Sequence, residues 1–285
     1  MKASLPARTI RVLAIVAIVA WSVGPVAVGM LTSVSSQNDV ESVPARWIPH
    51  EFSTDAYKAL ITGTNTNTGN TAADASAFGA SLLSSIEVTI EATVATLVVS
   101  VMAGYGFSRL RFRGSKLLLW AVLATLIIPL FTLVVALFKL MVQLNLVNTQ
   151  LGLDLVYLSS LAPLAIWLFY NHCRELPLEP EEAALIDGCT RWQAFWRVVL
   201  PQMRSGIAAV AAIVMLLVYG QFLIPLLLSS SSSTTPVTVL ITDFVGKYTT
   251  NYPLLAAAGV IALLPPALVA LALNGQIRGM LSGST

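Results

Sequence analysis

The sequence predicts an all-α integral membrane protein with six transmembrane helices. Three observations lead there. Hydrophobic residues make up 56% of the 285 and charged residues only 11%, against roughly 25% charged in an average soluble chain. Mean hydropathy is +0.79, and a soluble fold absorbs such an apolar excess only by leaving its surface apolar, so lipid is the natural solvent. Six stretches, 12–31, 88–107, 117–138, 151–170, 207–228 and 253–273, are long and apolar enough to cross the hydrocarbon layer. That layer is about 30 Å thick and a helix rises 1.5 Å per residue.

In chain order, residues 1–11 form a basic cytoplasmic N-terminus carrying Lys2, Arg8 and Arg11. Residues 12–31 follow as a retained first span, because the apolar run exceeds the length of a signal-peptide core. Residues 32–83 make an extracytoplasmic loop with a polar Thr-Asn-Gly stretch at 62–71. It looks superficially like a phosphate loop but lacks GxxxxGK[ST], so it reads as a linker. A core at 84–273 holds the other five spans around a long cytoplasmic loop, 171–206, and the tail 274–285 ends inside. With the N-terminus inside, the cytoplasmic connections hold 12 Lys and Arg and the outer ones 4 (Arg46, Lys58, Lys139 and Lys247). Basic residues stay on the cytoplasmic side, so the topology follows.

Prolines interrupt five spans, at Pro25, Pro129, Pro163, Pro225 and Pro265–Pro266. Membrane helices tolerate the lost hydrogen bond where neighbours satisfy the freed carbonyl, so these read as packing kinks. The net charge of +2 suggests no nucleic-acid partner. Cys173 and Cys189 fall in the cytoplasmic loop, where thiols stay reduced. His50 and His172 are the only histidines, and no CxxC or HExxH supplies a metal site.

The loop 171–206 is the most informative segment. Glu179-Pro-Glu-Glu-Ala-Ala-Leu-Ile-Asp-Gly188 reads as a short helix. Pro180 suits its first turn, Glu181 and Glu182 complement the positive end of its dipole, and Gly188 stops it. Beyond it, Trp192, Phe195, Trp196 and Val199 are spaced as one apolar stripe, and Pro201 ends the run. Two short helices at an angle in the cytosol need a cover. Either another protein docks there, with Ala183 and Ala184 allowing close approach, or the segment lies on lipid headgroups. Its mixed acidic and basic charge argues against headgroups.

Here a resemblance becomes specific. Glu182-Ala183-Ala184, three residues, Gly188, nine residues, then Val198-x-Leu200-Pro201 matches the EAA motif of binding-protein-dependent ABC importer permeases. Gly104-Tyr105-Gly106-Phe107-Ser108-Arg109 with Phe112-Arg113-Gly114 resembles the turn of the maltose/maltodextrin-type sugar permeases. Ile128-Pro129, Leu146-Val147-Asn148-Thr149 and Leu176-Pro177 follow in that family's order, and the likeness runs from about 84 to 279. It departs at Ser84-Ser85, at Tyr219-Gly220-Gln221 and in the tail Leu281-Ser-Gly-Ser-Thr285.

The resemblance implies a type I ABC importer permease fold in the bacterial inner membrane. It implies pairing with a second permease, two ATPase subunits below that hold ATP and Mg, and an extracytoplasmic solute-binding protein that delivers the solute. The chain itself would bind no cofactor and catalyse nothing. Its coupling helix would present Glu182, Ala183, Ala184, Leu185, Asp187 and Gly188 to the ATPase, with Leu200 and Pro201 completing the motif. Glu182 would make the docking contact, while the aromatic stripe suggests that Trp192, Phe195 and Trp196 anchor the helix to its own bundle. The expected solute is a di- or oligosaccharide, with a glycerol phosphodiester or amino sugar as the alternative.

Polar residues in hydrocarbon face the bundle interior or a wet cavity, which makes Tyr219 and Gln221 candidates for the substrate pathway. Glu91, one turn from Glu87 on the same helix face, lines an entrance or pairs within the chain. Thr89, Thr93, Thr96 and Ser100 recur at helical spacing and read as small packing residues. A secondary transporter or channel would call for a buried charge relay or an inverted repeat. A membrane enzyme would call for a nucleophile–base pair or a metal cluster. The spans show none of these clearly.

Overall fold

The structure, a computed structural model, describes residues 5–44, 48–63, 75–110, 112–229, 235–245 and 250–273. The tail 274–285, Arg46, Arg111, Lys247 and most of the Thr-Asn-Gly stretch lie outside the described residues. Among the described residues the chain is helical, and its only extended pairing is one isolated antiparallel bridge between Val245 and Thr250. Lipid offers no hydrogen bonds, so the backbone satisfies itself within helices. Four helices are long and apolar enough to cross a membrane, and six spans result if each of two bent pairs counts as one. The chain is therefore an all-α, multi-pass membrane protein.

Two compact units form, Met1–Leu82 with Val239–Leu264 and Leu83–Thr238 with Pro265–Thr285. In the first, α1 (Leu5–Ser33) keeps Pro25 inside a continuous helix. From residue 10 to residue 32 none of its side chains is buried within the chain. Short helices α2 (Gln37–Val40) and α3 (Asp55–Thr62) follow. The Gln37 amide donates to the Thr250 carbonyl at 2.7 Å and accepts from the Tyr252 N–H at 3.1 Å.

The second unit begins within α4 (Ser76–Arg109), 34 residues long. Its Thr89, Thr93, Thr96 and Ser100 stripe is buried, and Ser100 reaches the Ala162 carbonyl at 3.5 Å. Small side chains let helices approach closely in lipid, which accounts for the stripe. Helix α5 (Ser115–Ala124) tightens into a 3₁₀ turn, Thr125–Ile127, and the chain then bends by 99° into α6 (Leu130–Gln143). Pro129 causes the break: it forces Ile128 into extended backbone (φ −80°, ψ 117°) and donates no hydrogen bond. Pro129 is thus a break and not a gentle kink.

Helix α7 (Gln150–Glu175) starts at Thr149, whose hydroxyl accepts from the Gly152 N–H at 3.1 Å. Asn145 and Asn148 take left-handed backbone before it, and the Asn148 N–H donates to the Leu228 carbonyl at 2.7 Å. The Leu-Val-Asn-Thr pattern is therefore a structural turn. α7 carries Pro163 without interruption and continues past residue 171, so Cys173 is a buried helical residue. The coupling segment follows as α8 (Glu179–Ile186) and α9 (Arg191–Ala194), a π turn at Phe195–Val199, then α10 (Leu200–Gln202). The run does not end at Pro201: the helical backbone of Val199 and Leu200 carries it through the proline to Gln202. The bend comes later, 73° into α11 (Arg204–Tyr219).

Helix α11 stops at Gly220, and α12 (Leu223–Leu228) restarts the span with Pro225 in its first turn. α13 (Val237–Asp243) and α14 (Tyr252–Ala272), which keeps Pro265 and Pro266 inside, complete the chain. Tyr157, Phe169, Phe195 and Met203 are the large, fully buried side chains at the centre of the second unit.

Candidate functional site

Helix α8 forms because Glu179, Pro180, Glu181 and Glu182 fill its first turn, and it ends in a Schellman motif. The Cys189 N–H donates to the Ala184 carbonyl at 3.0 Å and the Gly188 N–H to the Leu185 carbonyl at 3.2 Å. Gly188 has φ +88°, a conformation that side chains with a Cβ resist, so glycine at this place is a geometric requirement. Thr190 then starts α9 with a capping box. Its hydroxyl accepts from the Gln193 N–H at 3.2 Å, and the Gln193 amide oxygen accepts from the Thr190 N–H at 2.9 Å. The elbow between α8 and α9 is therefore fully specified by local sequence.

The two neighbouring glutamates of α8 part company. Glu182 is exposed, together with Ala183, Ile186, Asp187 and Gly188, while Ala184 and Leu185 are half-buried. Of the remaining motif positions, Leu200 is half-buried and Pro201 exposed. Glu181 turns the other way and is 5% exposed. Its carboxylate accepts from the Tyr105 hydroxyl at 2.7 Å and lies 3.5 Å from Nε of Arg109. Arg109 Nη2 donates to the Leu176 carbonyl at 2.9 Å. The Arg109 Nε–Glu181 Oε2 contact is not an aligned hydrogen bond, so attraction across it is Coulombic. Both side chains are under one-tenth exposed, where water screens a charge pair little.

The aromatic stripe is a correction. Phe195 is 2% exposed and packs 4.8 Å from the Tyr105 ring. Trp192 and Trp196 stay 56% and 48% exposed, 5.7 and 5.4 Å from the Phe195 ring. Only Phe195 and Val199 enter the bundle. The four residues form two adjacent rows at i, i+4 spacing: Phe195 and Val199 make the row turned into the bundle, where Tyr105 meets Phe195, and Trp192 and Trp196 make the neighbouring row outside it. The tryptophans lie over Phe195 from outside.

The structure keeps the pathway candidates apart from this elbow. Tyr219 ends α11, half-buried, and lines a cavity of about 120 Å³ with Thr89, Ile86, Met215 and Pro265. That is below the roughly 300–1,000 Å³ of ligand pockets. Gln221 is half-buried in the break between α11 and α12, and its carbonyl accepts from the Thr238 hydroxyl at 2.9 Å. Non-helical backbone at membrane depth persists where it is buried or lines a cavity. Glu91 is exposed on α4 with its carboxyl beside the Asp154 carboxyl, an interaction within the chain.

Sequence reasoning missed Glu181 and the role of Tyr105 and Arg109. The available signal was the recurrence of both motifs in one chain, 72 residues apart, the second carrying an acid and the first a base.

The family model for the inner membrane component of binding-protein-dependent transport systems matches residues 96–278. The chain is 32% identical over 209 residues to the diacetylchitobiose uptake system permease protein NgcG of Streptomyces coelicolor, covering 73% of this chain and 69% of that one. It is 30% identical to the lactose transport system permease protein LacG of Rhizobium radiobacter (69% and 72% covered). It is 28% identical to the trehalose transport system permease protein SugB of Mycobacterium tuberculosis, covering 83% of each. Among solved structures, a bacterial ABC transporter involved in the import of the acidic polysaccharide alginate superposes with TM-score 0.79 over 96% of this chain and 99% of that one. At 18% identity that likeness speaks to the fold.

Proposed function

Because the chain belongs to the family of binding-protein-dependent transport system inner membrane components, we propose that it is one permease half of an ATP-driven sugar importer. The observation that carries the coupling role is the split of α8, with Glu181 buried and Glu182, Ala183 and Ile186 exposed on the same short helix and Gly188 exposed just beyond its end. The exposed face fits the groove of an ATPase subunit. Glu182 supplies the charged contact there, Ala183 and Gly188 the close approach, and Ala184, Leu185, Asp187, Leu200 and Pro201 hold the shape. The expected assembly contains a second permease, two ATPase subunits that bind ATP and Mg, and an extracytoplasmic solute-binding protein. Both termini lie in the cytoplasm of a bacterial cell, and the inner membrane surrounds the spans.

Closure of the ATPase dimer on ATP would move α8, and the spans would rock between inward- and outward-facing states. Nucleotide and loaded binding protein then bias one two-state element, and their coupling is reciprocal. A di- or oligosaccharide is the proposed cargo, in line with the diacetylchitobiose, lactose and trehalose permeases this chain resembles. Tyr219 and Gln221 would meet it with an aromatic face and an amide, chemistry suited to an uncharged polyol. Co-purification of the chain with an ATPase subunit tests the role. Calorimetry of its binding protein against N,N′-diacetylchitobiose, lactose and trehalose tests the cargo. A chain that inserts and takes up solute with no ATPase bound would refute the importer reading.

A further inference from the structure

Docking explains the outer face of α8 but leaves its inner face unused, and that face is where the chain has placed a buried charge. Glu181 is 5% exposed. A buried carboxylate is tolerated only while paired. Its partners Tyr105 and Arg109 sit four residues apart on the last turn of α4, so both face the same way. Arg109 also caps the end of α7 through the Leu176 carbonyl at 2.9 Å, where the helix dipole favours a cation. The Tyr105 ring meets Phe195 from the other arm of the elbow at 4.8 Å. Four elements therefore meet on one three-residue network.

The spans above that network are in close contact. A Cβ added at Gly104 would stand 2.6 Å from the Phe169 Cβ and 3.0 Å from the Tyr170 nitrogen, so α4 and α7 touch through backbone. A displacement of α8 away from α4 would strand a carboxylate and a guanidinium in a site nearly closed to water, at a steep cost. Sliding α8 with α4 and α7 strands nothing. The network makes joint motion the easier course.

We propose that Glu181, Tyr105 and Arg109 form a strut that transmits displacement of the docking helix to α4 and α7, and that the strut is distinct from the docking contact. Glu181 acts here as a positioning residue. The proposal rests on the importer reading and adds to it the route by which movement at α8 reaches the spans. It also joins the two sequence motifs: the Tyr105–Arg109 turn supplies the anvil against which the Glu182-Ala-Ala face is pushed.

The test compares wild type, Glu181→Gln, Tyr105→Phe and the double variant. Each is assembled with its ATPase, second permease and binding protein in proteoliposomes. Three quantities are read: ATPase co-purified, ATP hydrolysed, and radiolabelled disaccharide taken up per ATP, using trehalose, lactose or N,N′-diacetylchitobiose, whichever drives wild-type uptake. Glu181→Gln is expected to keep the ATPase and its hydrolysis while uptake per ATP falls about tenfold. Tyr105→Phe falls by a smaller factor, and the double variant matches Glu181→Gln, because both act on one contact. A merely structural role would lower the amount of assembled complex and leave the ratio unchanged. Wild-type uptake per ATP in Glu181→Gln, or loss of the ATPase from it, overturns the strut. Where Glu181→Gln does not insert, Tyr105→Phe decides by the same ratio. A wild-type chain that retains no ATPase overturns the importer reading itself, and the strut with it.

Discussion

Replacing Gly104 by alanine adds one carbon at the closest approach of α4 and α7. That carbon would lie 2.6 Å from the Phe169 Cβ, 3.0 Å from the Tyr170 nitrogen and 3.1 Å from the Phe169 carbonyl carbon. Carbon atoms pack best at about 3.5–4.0 Å, so the helices must part by about 1 Å. Neither neighbour is the free end of a side chain, and Phe169 is fully buried, so no rotamer change relieves the contact. Overpacking of this kind costs about 1–3 kcal/mol. Two residues along the same helix, a Cβ on Gly106 meets nothing within 4 Å. Gly106→Ala therefore serves as the control, since the helix-propensity gain of up to about 1 kcal/mol is common to both. The assay is thermal unfolding of the detergent-solubilised chain, followed by monodisperse fraction on gel filtration. Gly104→Ala is expected to melt roughly 2–10 °C below Gly106→Ala. Phe169→Leu should not restore it, because the clash is with Cβ and backbone. Equal melting of the two alanine variants would refute the close-contact argument.

At the docking face, Gly188→Asp is expected to insert normally yet retain at least about tenfold less ATPase than Gly188→Asn, since the two side chains bear the same backbone strain at φ +88° and only one adds a charge. Equal retention in a pull-down would remove Gly188 from the interface. In the elbow, Phe195→Ala should cost about 3–5 kcal/mol of stability, and Trp192→Ala and Trp196→Ala about 2 kcal/mol less. A melt in which either tryptophan variant is the worst would show that the rings, and not Phe195, anchor the arm. In the pathway, Gln221→Leu is expected to keep the ATPase while raising the KM for disaccharide uptake about fivefold, the loss of one hydrogen bond. Unchanged KM would take Gln221 out of the pathway.

Much of this protein was legible before any coordinates. Lipid imposes a length and a composition on every crossing segment, and those are properties of contiguous sequence. The coupling elbow was legible for a related reason. Pro180, Gly188, Thr190 and Gln193 specify their turns through contacts no more than a few residues away. The broken spans were less so. Pro129 and Pro163 sit in similar apolar runs, yet one marks a 99° bend and the other stays inside α7. A proline breaks or bends a span according to whether neighbours satisfy the carbonyl it frees, and those neighbours are distant in sequence.

The sequence by itself determined an all-helical membrane chain, its family, and the exposed elbow with its Glu-Ala-Ala face, because local hydrogen bonds and apolar length are written along one segment. Only the tertiary structure decided that Glu181 goes in and Glu182 stays out, and that Phe195 is buried while its tryptophan neighbours are not. Adjacent residues of the same chemistry differ only in direction. Direction is set by what packs against the helix: here Tyr105 and Arg109, arriving from more than seventy residues away.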